Sequence, residues 1–67
     1  MQKAEMAEFI RRARRDGVPF DEIDRSLLAE VSTLTASELA EAYREAARRD
    51  EAEAKQLENF SPRARAE

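Results

Sequence analysis

Apolar side chains in this chain recur three and four residues apart, a spacing that admits helices and little else. Met6, Phe9, Ile10 and Ala13 share one face of a first block. Phe20, Ile23, Leu27, Val31 and Leu34 form the stripe of a second. With one Gly, two Pro and few β-branched residues, no stretch alternates as a strand would. The expected fold is all-α: a small three-helix domain with a long third helix over residues 1–60, then a flexible C-terminal tail over residues 61–67.

Local signals place the boundaries. The first helix should run from Gln2 to Asp16, where Gly17 supplies a stop that tolerates positive φ and Pro19 follows. The second should run from Asp21 to Thr33, with Asp21 and Glu22 where carboxylates favour a helix N-terminus. The third opens on Thr35-Ala-Ser-Glu38, a capping box in which each side chain bonds the other's backbone amide. It should reach Glu58 and stop at Ser61-Pro62, supported by the i, i+4 pairs Glu45–Arg49, Arg49–Glu53 and Glu51–Lys55. The expected core is Phe9, Ile10, Phe20, Ile23, Leu27, Val31, Leu39 and Tyr43.

A chain of 67 residues makes one domain, and its core is a modest one. Thirteen of its apolar residues are Ala, which favours helix and fills little volume. Cys and His are both missing, so neither a disulfide nor the usual zinc ligands can staple the fold, and no cofactor is expected. General acid–base chemistry needs carboxylates desolvated in a cleft, which three short helices do not readily form, so no enzymatic activity is expected. A net charge of −3 argues against strong autonomous binding to DNA phosphates. No window approaches the ~20 apolar residues of a membrane span. The N-terminal segment, with Glu5 and Glu8, lacks the apolar stretch of a secretory signal, which makes the cytoplasm the expected location.

Three features carry competing interpretations. Arg11-Arg12-Ala13-Arg14-Arg15 fans around the polar side of the first helix. It is either a solvated face paired with nearby acids or an auxiliary contact to nucleic-acid phosphates, through Arg12, Arg14 and Arg15. Asp24 falls inside the apolar arc of the second helix, between Val31 and Leu28 at about 100° per residue, with Asp21 at the border. A carboxylate there needs a partner. It is either an internal ion pair, with an arginine of the first helix for instance, or a docking acid for a basic partner, with Leu28 as an apolar floor. From Arg44 to Glu58 the third helix carries one large apolar residue, Leu57, among alanines. It either projects into water or offers a seam of Ala46, Ala47, Ala54 and Leu57 to another helix, for example in a homodimer. A helix-turn-helix reader is disfavoured, because the first turns of the third helix carry Glu38, Glu41 and Glu45, which repel phosphate.

In order, these segments resemble the Hha/YmoA family of small nucleoid-associated expression modulators. Phe9-Ile10-Arg11-Arg12-Ala13-Arg14-Arg15 is similar to that family's first helix. Ile23-Asp24-Arg25 resembles its Leu-Glu-Arg after one inserted turn residue. Leu34-Thr35-Ala36-Ser37-Glu38-Leu39-Ala40, with Tyr43, Ala46 and Arg49, resembles its third helix. The likeness spans residues 9–49. It implies a protein that lacks a DNA-reading element and docks on the dimerisation region of an H-NS-type silencer. The family's docking acids in the second helix match Asp21 and Asp24, and its basic face matches in part Arg12, Arg14 and Arg15. The chain departs from the family in three places: Ala47 stands where a third docking acid belongs, the family's Cys is missing, and Pro62 to Glu67 do not match its short aromatic fourth helix.

The expected function is therefore an accessory modulator of transcriptional silencing, cytoplasmic and nucleoid-associated. It would bind an H-NS-type protein and add positive charge near DNA, with only weak or indirect nucleic-acid contact of its own. The alternative is a small phage- or plasmid-type protein that inhibits a host protein through a helical face of the third helix.

Overall fold

Three helices account for the regular structure in the computed structural model, which describes the backbone of residues 1–65 and the side chains of residues 1–58. They are α1 (Lys3–Arg15), α2 (Phe20–Glu30) and α3 (Ala36–Arg65). No strand occurs among the described residues. The all-α architecture with a long third helix is the one expected from the apolar spacing.

The chain ends of the helices follow local chemistry. At the start of α1 the Gln2 amide donates to Glu5 Oε1 at 2.9 Å. At its end Gly17 takes φ 83°, and the Gly17 and Val18 amides donate back to Arg14 and Ala13 carbonyls, each at 3.0 Å. This paired pattern satisfies two carbonyls the helix would otherwise leave bare, and Val18 then packs against the core. Pro19 turns the chain into α2, its carbonyl accepting from Glu22 and Ile23. The α3 capping box forms as expected: Glu38 N–H donates to Thr35 Oγ1 at 3.1 Å, and Thr35 N–H donates to Glu38 Oε1 at 2.9 Å.

Two boundaries differ from expectation. α2 ends at Glu30, before the expected Thr33, because Val31 leaves the helical region and a turn closes from the Leu34 amide to the Val31 carbonyl. α3 continues through Ser61-Pro62 as far as Arg65. Proline's fixed φ of about −65° is itself helical, so the backbone can continue through it at the cost of one amide donor. Ala66 and Glu67, the end of the expected tail, lie outside the described residues.

α1 and α3 run parallel and pack directly on each other, and α2 returns the chain from the end of one to the start of the other. Met6 lies beside Glu38 and Glu41, whereas Glu8 meets Arg49 and Arg11 meets Glu53, further along both helices. The buried core is Met6, Ala7, Ile10, Ala13, Ile23, Leu27, Ala42 and Ala46, with Phe9, Val18, Leu34, Leu39 and Tyr43 packed around it. Ile10, Ile23 and Leu27 are its largest fully enclosed side chains.

This core corrects several expectations. Phe20 is 56% exposed and stands outside it. Val31 is only half-buried, since it lies beyond the end of α2. Ala42 and Ala46 take the central places instead. Their small side chains suit direct packing of α1 on α3, and Phe20, at the first position of α2, instead lies at the edge against Tyr43 and Arg14.

Of the four residues of the alternative seam on α3, Ala46 belongs to the interior, whereas Ala47 and Ala54 are exposed and Leu57 is 60% exposed. Ala46→Leu is accordingly expected to destabilise the protein by about 1–3 kcal/mol through overpacking. Ala47→Leu on the exposed side should change stability by less than about 0.5 kcal/mol. Chemical denaturation of the two variants distinguishes the faces; equal effects would contradict the packing.

Candidate interaction site

The outward side of α2 joins apolar and acidic side chains. Phe20, Asp24 and Leu28 follow one another at four-residue spacing, and Asp21 lies next to Leu28 around the helix. Leu28 is 45% exposed, so Phe20 and Leu28 give the carboxylates between them an apolar border open to solvent. Asp21 is exposed and lies 3.6 Å from Arg25 of its own helix, a surface pair of the kind that contributes little.

Asp24 is half-buried and has an internal partner. That partner is the Tyr43 hydroxyl of α3, which donates to Asp24 Oδ1 at 2.6 Å. The expected alternative of an ion pair with an arginine of the first helix is not what holds it. Burial, and then the hydrogen bond to Asp24, push the Tyr43 hydroxyl well above its ordinary pKa of 10, so it remains a donor at any physiological pH. The Tyr43 ring packs tilted on Phe20, with centroids 5.8 Å apart and planes at 57°. Arg14 of α1 lies over the other ring, its guanidinium carbon 5.4 Å from the Phe20 centroid. Such a contact is worth about 0.5–1 kcal/mol at an exposed site. Arg14, Phe20, Tyr43 and Asp24 thus form one continuous chain of contacts across the three helices.

The arginine run divides between two roles. Arg11 turns inward and is only 11% exposed, bonded by Glu8 and by Asp50 and Glu53 of α3. Arg12, Arg14 and Arg15 are exposed, and none forms an ion pair among the described residues. Of the expected pairs on α3, Glu45–Arg49 forms at 2.9 Å. Arg49–Glu53 does not form, because Glu53 is drawn to Arg11 and Arg49 reaches Glu8 at 2.7 Å; Glu51 and Lys55 are not paired either.

The site therefore holds two members that sequence reasoning left out of it, Phe20 and Tyr43. Phe20 shares the apolar arc, which by periodicity alone marks it as core. The signal that could have moved it outward is its place beside Asp24 on that arc. Among the described residues no group of His, Cys, Asp or Glu side chains is arranged to hold a metal ion. No helix is long and apolar enough to cross a membrane among them. Against known protein families, characterised proteins and solved structures, the chain finds no match.

Proposed function

We propose that this protein is a docking module that modulates transcriptional silencing by binding an H-NS-type nucleoid-associated protein through α2. The observation that carries this is the α2 face itself: Asp21 and Asp24 set between exposed Phe20 and Leu28. Carboxylates bordered by apolar surface suit a partner that brings arginine or lysine together with an apolar side chain. The resemblance of residues 9–49 to the Hha/YmoA family supplies the partner, the dimerisation region of the silencer. Arg12, Arg14 and Arg15, exposed on α1, would then add positive charge to the complex beside DNA. The rival surface on α3 is weakened by the burial of Ala46.

Calorimetric titration tests the partner directly. Binding is expected with the dimerisation region of an H-NS-type silencer and not with its DNA-binding region; no heat with either region rejects the proposal. Duplex DNA tests the basic face. The protein alone should bind DNA weakly and without sequence preference. Neutralising three phosphates gives a slope of log K against log salt no steeper than about −3. Sub-micromolar, sequence-selective binding at physiological salt would instead make the protein a DNA reader in its own right.

A further inference from the structure

Apolar burial along α3 ends early. Ala46 is its last core residue, and every side chain from Glu51 to Glu58 is exposed. The helix nevertheless continues, and the molecule measures 52 × 20 × 15 Å as a result. Among the described residues, the polar ties from α1 to this far half come from one side chain. Arg11 Nε donates to Asp50 Oδ1 at 2.6 Å, and its Nη2 bonds Glu53. Glu8 steadies the same guanidinium from within α1 at 3.1 Å and accepts from Arg49 at 2.7 Å.

We infer that Arg11 is an electrostatic latch that holds the far half of α3, from Asp50 to Glu58, along α1, and that acid weakens it through Glu8. The asymmetry of burial supports this. Arg11 is shielded from water while Glu8, Asp50 and Glu53 remain substantially exposed. A shielded cation requires its partners, since an unpaired one must regain water. Regaining water here means parting α3 from α1 beyond Ala46, where no core opposes the movement. Core residues Ile10, Ile23 and Leu27 lie behind that point and need not move.

The charged groups around Arg11 give the direction of the pH effect. Glu8 lies beside it on α1; Glu45, Arg49, Asp50, Glu53 and Lys55 face it or its neighbours from α3. Hydrogen bonds from Arg49 and then Arg11 hold Glu8 below the ordinary carboxylate value of 4.5. Bonds from Arg48 and then Arg49 bring Glu45 to about 2. The partners of Glu45 lie within α3, so its contribution belongs to that helix alone. Glu8, lowered on folding by a bond that crosses from α3, stabilises the closed form above pH 4.5, and that contribution disappears as pH falls through its folded value. Once Glu8 is neutral, Arg11 and Arg49 lose the carboxylate between them.

Amide exchange on the full chain, corrected for intrinsic rates, provides the test. Arg11→Met keeps most of the aliphatic stem and removes the charge. Protection at Ala52, Ala54 and Leu57 should then fall about tenfold or more, as expected for lost hydrogen bonds to a charged group. Protection at Ile10, Ile23 and Leu27 should be retained. Asp50→Asn with Glu53→Gln should reproduce the effect without altering α1, and acidifying the wild-type protein through the lowered folded value of Glu8 should reproduce it in part. Unchanged protection at Ala52, Ala54 and Leu57 in both variants overturns the latch. So does an equal loss at Ile23 and Leu27, which would make the cluster a global stabiliser. The α2 face is untouched in these variants, so the latch and the docking proposal stand or fall separately.

Discussion

Leu27→Ala is expected to leave the isolated protein largely unfolded. Leu27 is fully enclosed, with Ile10 and Ile23 among the largest such side chains of the described residues. Truncating a buried leucine costs about 2–5 kcal/mol, the sum of lost transfer energy and the cavity left behind. A domain of this size, with no cysteine to form a disulfide, has about 3–5 kcal/mol of net stability from its core. The loss is therefore comparable to the whole. Far-ultraviolet circular dichroism of the variant should show most helix gone and no cooperative melt. Phe20→Ala is the control: although the ring is larger, it is mostly exposed, so its removal should cost about 0.5–1.5 kcal/mol, the range of an aromatic pair. A loss below about 1 kcal/mol at Leu27 would mean that the core lies elsewhere.

Asp24→Asn separates charge from hydrogen bonding at the proposed docking face. Asparagine keeps a carbonyl oxygen where Asp24 Oδ1 stands, so the Tyr43 hydroxyl can still donate to it. The melting temperature should therefore change little. The carboxylate's negative charge is lost, and a partner's arginine or lysine would be left unpaired at the interface. Affinity for the silencer's dimerisation region is expected to fall by about 2 kcal/mol or more, within the range measured for close interfacial charge pairs. Asp21, nearer the rim and more exposed, should matter less. Tyr43→Phe gives the complementary case, removing the donor while keeping the charge, and should lower stability by about 1–2 kcal/mol. If Asp24→Asn destabilises the fold and leaves the affinity of the folded protein intact, Asp24 is a structural residue and the docking face must be sought elsewhere.

The helices and most of their ends were legible in the sequence because the interactions that set them are local. The Thr35–Glu38 capping box, the Gly17 stop and the Glu45–Arg49 pair each span no more than one helical turn, and each forms. The periodicity of Ile10, Ile23 and Leu27 likewise identified the deepest core positions. Which other apolar residues are buried depended on how closely the helices approach, and periodicity along one helix carries no information about that distance. Direct packing of α1 on α3 turned Ala46, one residue of the alternative seam, inward, and Phe20 lies at the edge. Asp24 was marked as a residue in need of a partner, but Tyr43 is 19 positions away and reaches it only once α2 and α3 are packed. Arg11 was indistinguishable from its neighbouring arginines until α3 brought Asp50 and Glu53 to it, across 39 and 42 positions. One side chain of that run was thereby withdrawn from solvent while Arg12, Arg14 and Arg15 stayed in it. Local chemistry chose the elements; the distance and direction between their axes chose which side chains meet.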